Sequence, residues 1–396
     1  MDWSGIPDHA ARNLDSLQIE IPSWGFANTG TRFGKFLQPG AATALPEKFA
    51  DASEVHALTG VTPRIALHVL WDLPNGAADV AEVRRLEAQY GVRSGSINPN
   101  LFQNQEYKLG SICNPDPAIR QMAIDHLIDS VEIAKTLRST DISLWLADGS
   151  NYPGSQSIRK RILWMEEALI LVHDRMHEEQ RLLIEYKPFE PAFYHTDIAD
   201  WGMAVHLART AGPLARVLVD TGHHYQSQNI EQIVAWLLHL RLLGGFHFND
   251  RRYADDDLVI GSIDPYQVFR IFVEILGEPD RTAIADIAYM IDQSHNLKNK
   301  MEAIVQTVMI AQELFLKAAL VDREQLSELQ EAGKILEAEE CLRSAFWTDV
   351  RPSLEEWRMS RALPPNPLRA LRESGYVERI SQERAMRNAA QLSTYA

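Results

Sequence analysis

Cysteine is scarce in this chain. Cys113 and Cys341 are the two present among 396 residues, and they are 228 positions apart. This count excludes a disulfide scaffold and the paired cysteines of a zinc finger, and it favours a reducing compartment. The sequence also has no run of 18 uninterrupted apolar residues, and the opening MDWSGIPDHAARNLD has acids but no apolar core. We therefore expect no transmembrane helix, no secretory signal and a cytoplasmic location.

Basic residues are also fewer than acidic ones in this chain. Lys and Arg total 39 against 54 Asp and Glu, which leaves a net charge of −15. Such a balance argues against binding to nucleic acid or another polyanion. A hydrophobic content of 45% is typical of a soluble globular protein rather than a disordered one. The surplus carboxylates could hold hard cations.

Short β-rich apolar runs alternate with segments of helical periodicity through the first three quarters of the chain. Asp116-Pro117 reads as the start of one such helix, and Ser157 precedes another. No G-x-G-x-x-G follows the first run, and GTRFGK at 30–35 lacks the spacing of a phosphate loop. Repeated strand–helix alternation is compatible with a doubly wound sheet, but it favours a (β/α)8 TIM barrel over residues 1–320. The eight predicted strand regions are 19–28, 64–72, 92–102, 141–149, 181–190, 215–224, 242–250 and 282–292.

The last part of the chain has a different pattern. Beyond about residue 296 it is rich in Glu, Leu, Ala and Arg, as in DREQLSELQEAGKILEAEECLRSAF. This composition is typical of helices. We expect residues 321–396 to form a helical extension that packs on the barrel or on a neighbouring subunit.

Acidic and imidazole side chains recur at the predicted carboxyl ends of four successive strands, where parallel barrels place their chemistry. Converging carboxylates need a compensating cation, and oxygen ligands with one imidazole suit Mn²⁺, Mg²⁺ or Co²⁺. The pattern predicts two ion sites that share Asp220. One site comprises Glu185, Asp220, His247 and Asp292, and the other comprises Asp220, His223, Asp255 and Asp257.

Each of these residues, taken singly, has another interpretation. A strand-end Asp often caps the next helix, a His between Phe246 and Phe248 is often a core residue, and Asp255-Asp256-Asp257 resembles a solvated turn. Their coincidence on four consecutive strands favours the ion sites. Asp286 shares the predicted eighth strand with Asp292, but it would lie towards the opposite end of the barrel.

Four motifs in the second half of the barrel resemble the L-rhamnose isomerases, which are relatives of the xylose isomerase-type barrels. They are IEYKPFEP at 184–191, VDTGHH at 219–224, FHFNDRRYADDDL at 246–258 and MIDQSHN at 290–296. The resemblance implies a metal-dependent aldose–ketose isomerase that interconverts L-rhamnose and L-rhamnulose. It also implies a homotetramer with two divalent cations per chain, most often Mn²⁺.

The resemblance assigns roles to individual residues. The site built on Glu185 matches the structural metal of that family, and the site built on His223 matches its catalytic metal. Lys187 matches a lysine that contacts a substrate oxygen. The expected catalytic residues are Lys187, His223 and Asp292. The expected sugar-binding residues are His68, Trp71, Trp145, Trp24 and Phe33, the last being lent by a neighbouring subunit.

Two chemical routes and two other functions stay open from the sequence. A 1,2-hydride shift needs charge stabilisation but no base, whereas an enediol route would use Asp292 as the base. A sugar 3-epimerase-like barrel would need a single metal, and the second cluster would then have no purpose. A non-catalytic sugar-binding barrel would bind sugars without turnover.

Overall fold

A closed barrel of eight parallel strands forms the centre of the molecule, as the alternating sequence pattern predicts. The computed structural model describes residues 6–31, 34–189, 195–294 and 297–390. The first strand pairs with both the last and the second strand of the barrel, and this double pairing closes it. The barrel strands are β1 (Ile19–Pro22), β4 (Arg64–His68), β5 (Arg93–Asn98), β6 (Asp141–Leu144), β7 (Arg181–Glu185), β8 (Ala215–Asp220), β9 (Leu243–Phe248) and β10 (Ala288–Ile291).

Helices cover the outside of the barrel, so most strand residues are buried. Two predicted helix starts are confirmed: the Asp116 side chain accepts a hydrogen bond from the Ala118 N–H, and Ser157 accepts one from the Lys160 N–H. The helices up to the last strand are α1 (Asp8–Ser16), α2 (Leu45–Thr59), α3 (Val80–Tyr90), α4 (Pro117–Leu137), α5 (Ile158–His173), α6 (Trp201–Ala211), α7 (Ile230–His239), α8 (Pro265–Gly277) and α9 (Arg281–Ala285).

The eighth predicted strand region is partly wrong. Its first residues form the short helix α9, because the Asp280 side chain accepts hydrogen bonds from the backbone and hydroxyl of Thr282 and starts a helical turn there. Asp286 therefore ends a helix and does not lie on a strand. It borders a cavity of about 830 Å³ at the amino end of the barrel, the end that the sequence predicts for it.

Two short strands flank the centre of the GTRFGK segment. Strand β2 (Gly30–Thr31) pairs antiparallel with β3 (Gly34–Lys35). Phe33, predicted to reach the sugar site of a neighbouring subunit, lies outside the described residues.

The C-terminal helices pack on the barrel and on α2. Arg384 forms a buried ion pair with Asp51 at 2.7 Å, and the Asn28 amide donates to Asn388 at 2.7 Å. These contacts agree with the expected helical extension, and contact with a neighbouring subunit stays a prediction. The helices of this part are α10 (Lys300–Ala319), α11 (Arg323–Glu331), α12 (Ile335–Trp347), α13 (Arg351–Met359), α14 (Pro367–Glu373) and α15 (Tyr376–Ala389).

Within the described ranges, no single helix has the length and apolar content needed to cross a membrane; α10 and α11 meet that criterion only jointly, as a pair bent by 61°.

Candidate active site

Four of the predicted ligands converge at the carboxyl end of the barrel. Glu185 and Asp220 are the last residues of β7 and β8, His247 lies in β9, and Asp292 follows β10 directly. One ligand atom from each of these four residues lies within 4.8 Å of the other three. We call this set the first ion group. Its geometry arises because parallel strands bring their carboxyl ends to the same rim.

A second ion group shares one residue with the first. Ligand atoms of Asp220, His223 and Asp255 also lie within 4.8 Å of one another. Asp257, the predicted fourth ligand, is not part of this group and has a left-handed backbone with φ of 48°. Its role as a ligand stays a prediction.

The imidazole of His223 is oriented by the strand beside it. Its Nδ1 lies 3.1 Å from the Tyr186 carbonyl, which accepts only from a protonated nitrogen. Nδ1 also lies 3.1 Å from Glu185 Oε1, while Nε2 faces the carboxylates of Asp255 at 3.3 Å and Asp220 at 3.9 Å. A backbone acceptor behind a histidine is the usual way in which proteins hold the ligating nitrogen of a metal site.

Burial and mutual charge shift the pKa values of both ion groups. Burial would raise the pKa of Glu185, but the charges and contacts of His247 and His223 lower it to about 2. Burial raises the pKa of Asp220 to about 7, with Glu185 and Asp255 adding to the rise against the charge of His223. The carboxylates of the two ion groups therefore need positive charge close by if all of them are to be ionised.

The two ion groups contain buried atoms that suit a divalent cation. Among the residues that the structure describes, His247 Nδ1 has no hydrogen-bond partner, although it lies 3.2 Å from Glu185. Asp255 Oδ1 is likewise buried and has no partner in the described part of the chain. Buried polar atoms without partners are rare, and here both belong to side chains that ligate metals. The donor set of carboxylate and imidazole therefore fits a hard or borderline divalent ion.

Lys187 lies beside the second ion group. Its Nζ is 2.5 Å from Asp255 Oδ2 and 5.4 Å from the centre of the Trp145 ring. The side chain is buried, so this ammonium group does not simply extend into solvent. It stands between the carboxylates and an aromatic surface, where a substrate oxygen could meet it.

Five ring side chains form a continuous surface along the same rim, which we call the aromatic wall: Trp24, His68, Trp71, Phe102 and Trp145. Successive ring centres are 6.0, 3.9, 5.9 and 5.0 Å apart in that order. The wall meets the first ion group at one end, where the Trp24 indole N–H donates to Asp292 at 2.8 Å. The structure thus brings four of the predicted sugar-binding residues together next to the ions' ligands.

Phe102 is the member of the wall that the sequence reasoning missed. It ends the third predicted strand region and lies between Trp71 and Trp145. An aromatic residue at a strand's carboxyl end was the available signal, but it also fits ordinary core packing. Its position becomes informative only when the neighbouring rings are in place.

His68 is held in its neutral form. Burial lowers its pKa from 6.5 to about 4, despite the nearby Val69 carbonyl and Asp72. With Nδ1 donating to the Val69 carbonyl at 3.0 Å, Nε2 carries the lone pair. His68 can therefore accept a hydrogen bond from a hydroxyl group at neutral pH.

We expect His68 to stay unprotonated until the pH falls well below 6. Because an unfolded histidine binds a proton near pH 6.5 and folded His68 near pH 4, the unfolded state binds more protons between these values. Acidification across this window should therefore cost the fold up to about 3 kcal/mol. An NMR titration of the His68 ring, assigned with His68→Gln, checks this, and a midpoint between pH 6 and 7 would refute it.

A third group of possible ligands, Cys113, Asp148 and Asp197, already has its cation. The Arg161 guanidinium is buried and pairs with Asp197 at 2.6 Å. Asp148 accepts hydrogen bonds from the backbone of Ser111 and Cys113. This group therefore stabilises the loops and does not resemble the two ion groups.

Comparison with known proteins identifies the family of this chain. The sequence model described as "Xylose isomerase-like TIM barrel" matches residues 58–295, more than half of the chain. The chain belongs to that family. A "Probable sugar isomerase" of Rhizobium meliloti (strain 1021) is 37% identical, with 97% of this chain and 92% of the relative aligned. A second protein of that description, from Mesorhizobium japonicum, is 36% identical over 97% of this chain and 90% of the relative.

Solved structures of two sugar epimerases share the fold at low sequence identity. An L-ribulose 3-epimerase superposes with a TM-score of 0.55 at 13% identity, covering 79% of this chain and 97% of that one. A D-allulose 3-epimerase from Methylomonas sp. superposes with a TM-score of 0.52 at 12% identity, covering 74% and 95%. At these identities the likeness concerns the fold alone.

Proposed function

We propose that this xylose isomerase-like barrel is a metal-dependent aldose–ketose isomerase that interconverts L-rhamnose and L-rhamnulose. One observation carries the proposal: two groups of metal-ligating side chains share Asp220, with Lys187 and the aromatic wall beside them. The two close relatives described as sugar isomerases add support. Mn²⁺ is the proposed ion because carboxylate and imidazole ligands suit it, with Mg²⁺ or Co²⁺ as substitutes.

The residues around the ion groups would have different roles in the reaction. A divalent ion, when bound, supplies Lewis-acid polarisation of the sugar oxygens. Lys187 would donate a hydrogen bond to the oxygen that changes between carbonyl and hydroxyl, which stabilises negative charge developing there. His68 would accept from a sugar hydroxyl through Nε2. The buried Trp145 indole N–H, which has no hydrogen-bond partner within the described ranges, would donate to a second hydroxyl.

The aromatic wall supports a sugar with an apolar end. L-rhamnose carries a methyl group at C6, and ring faces such as those of Trp71 and Phe102 pack well against methyl and C–H groups. Related aldoses such as L-mannose, L-lyxose or D-allose are expected as poorer substrates, since one added or missing hydroxyl in a roomy site costs little.

The environment of Asp292 favours a direct hydride shift over an enediol route. Its Oδ1 accepts from Trp24 at 2.8 Å, and the carboxylate belongs to the first ion group, where a bound cation would weaken it as a base. In the hydride route, hydrogen moves with its electron pair from C2 to C1, and the C2 hydroxyl proton passes to the C1 oxygen. Isomerisation in D₂O should then leave C1 and C2 free of deuterium; appreciable deuterium at either carbon would contradict this route.

Lys187→Met should lower kcat by about 10²-fold or more in the Mn²⁺-loaded protein, with a smaller change in KM. The methionine keeps much of the side-chain volume, so packing against Trp145 persists while the donor is lost. Steady-state kinetics on L-rhamnose and a thermal melt of the same sample provide the check. An unchanged kcat, or a loss of activity explained by unfolding, would contradict the proposed role.

The activity itself is tested on purified protein. The protein is stripped with EDTA, restored with one divalent ion at a time, and assayed for ketose formation from a panel of aldoses. We expect no turnover after stripping and recovery with Mn²⁺, with L-rhamnose the best substrate. Sugar binding without turnover under every condition would contradict the proposal and support a non-catalytic sugar-binding barrel.

A one-metal sugar 3-epimerase is the second candidate. The first ion group is complete by itself, and barrels of this fold include an L-ribulose 3-epimerase. This alternative predicts one ion per chain and inversion at C3 of a ketose. The isomerase predicts two ions and no change at C3, so metal analysis combined with product NMR separates the two.

We further propose a homotetramer in which Phe33 of one chain approaches the sugar site of another. Large apolar side chains exposed on helix α12, namely Ile335, Leu336 and Trp347, support association between copies. Light scattering of the purified protein tests the assembly.

A further inference from the structure

Asn249 is a buried amide at the end of the strand that carries His247. It directly follows β9, and its side chain projects to the same side as that of His247 because alternate strand residues share a face. Its exposed fraction is 1%. None of the sugar-binding or ligand assignments above uses it.

The amide of Asn249 contacts the residue common to both ion groups. Its Nδ2 donates to Asp220 Oδ1 at 3.0 Å and approaches Oδ2 at 3.2 Å. The Gly222 backbone N–H donates to the same Oδ1 at 2.6 Å. Two neutral donors thus hold the Asp220 carboxylate from one side and leave its other side towards the ion groups.

The position of Asn249 is itself fixed by its neighbours. Its backbone N–H donates to Thr221 Oγ1 at 3.0 Å, and that hydroxyl donates to the Asn249 carbonyl at 2.9 Å. Thr221 Oγ1 also lies 3.3 Å from Asn249 Oδ1, which leaves Nδ2 towards Asp220. A Cβ at Gly222 would lie 2.6 Å from Asn249 Oδ1, so the glycine permits this close approach.

We propose that Asn249 is a positioning residue that orients Asp220 for both divalent ions. The inference rests on the proposed function, since it assumes that the two ion groups bind metal. An uncharged hydrogen-bond donor suits this position. Another carboxylate here, beside those of Asp220, Glu185, Asp255 and Asp292, would add electrostatic repulsion. Groups that orient metal ligands in this way typically account for about 10- to 100-fold in metal affinity.

The test compares Mn²⁺ binding by the full-length wild type and Asn249→Leu, which keeps similar volume without the donor. We expect both ions to bind about 10- to 100-fold more weakly, because Asp220 belongs to both groups. The visible absorption spectrum of the Co²⁺-substituted protein should change as well. Should the leucine variant fail to fold, Asn249→Ala takes its place with the same expectation.

Asn114→Leu is the matched control. Asn114 is also buried, but its amide donates to the Gly110 carbonyl at 2.7 Å rather than to a predicted ligand. The Asn114→Leu variant should have lower thermal stability than the wild type, yet its Mn²⁺ affinity should stay within about threefold of the wild-type value. Mn²⁺ affinity and a Co²⁺ spectrum unchanged in the Asn249 variants would overturn the inference.

The wild-type sample separates this inference from the proposed function. If the proposed function fails, the wild type itself binds fewer than two ions or forms no ketose. If only the role of Asn249 fails, the wild type behaves as proposed and the Asn249 variants bind both ions as tightly as it does.

Discussion

His223→Ala is expected to lower kcat/KM for the aldose at least about 10³-fold while the fold persists. The variant removes the Nε2 atom that faces Asp220 and Asp255, and with it the imidazole ligand of the second ion group. Steady-state kinetics at saturating Mn²⁺ give the effect, and circular dichroism shows whether the barrel is retained.

His206→Ala serves as the control for His223. His206 is an exposed histidine on α6 that contacts Glu166 at 2.6 Å, so its loss should leave kcat/KM within about twofold. A His223→Ala protein that is folded and retains more than a tenth of wild-type activity would show that the second ion group has no catalytic part.

Glu185→Gln should remove the part of the Mn²⁺ stabilisation that comes from the first ion group. An ion at 100 times the Kd of one site adds about 2.7 kcal/mol to the free energy of unfolding, and the variant should lose most of that contribution. The reason is that Glu185 supplies a carboxylate to the first ion group and lies 3.1 Å from His223 and 3.2 Å from His247. In the absence of added ion, removing the Glu185 carboxylate from this buried cluster should also lower the free energy of unfolding by about 3–5 kcal/mol.

Glu20→Gln is the comparison for this experiment. Glu20 is a buried carboxylate in β1 that accepts hydrogen bonds from Ser96, and it borders the cavity at the opposite end of the barrel. Its variant should lose stability but keep the full Mn²⁺-dependent increase in melting temperature. Equal increases in Glu185→Gln and wild type, measured by calorimetry, would contradict the assignment of Glu185 to an ion site.

The barrel and much of the site could be predicted from the sequence because both follow from local patterns. A β-rich run ending in Glu185 or Asp220 identifies the strand and also places its last side chain on the rim. The same logic failed at 282–287, where the local capping by Asp280 starts a helix before the strand. It correctly placed Asp292, not Asp286, at the carboxyl end.

The remaining parts of the site depend on contacts between distant segments. Phe102 and Asn249 have no distinguishing pattern, and their roles come from rings and carboxylates on other strands. Asp257 lies in an acidic loop whose backbone is left-handed at that residue, and its role as a ligand stays a prediction. Loop conformation of this kind is decided by packing across the rim and not by residue type.

We propose that Asp220 joins two ion sites, and a crystal grown with Mn²⁺ would show this. An anomalous difference map should show two peaks per chain, one beside Glu185 and His247 and one beside His223 and Asp255. Carboxylate oxygens of Asp220 should lie about 2.0–2.6 Å from both. A map with no peak in either ion group, or with Asp220 away from the bound ions, would contradict the account.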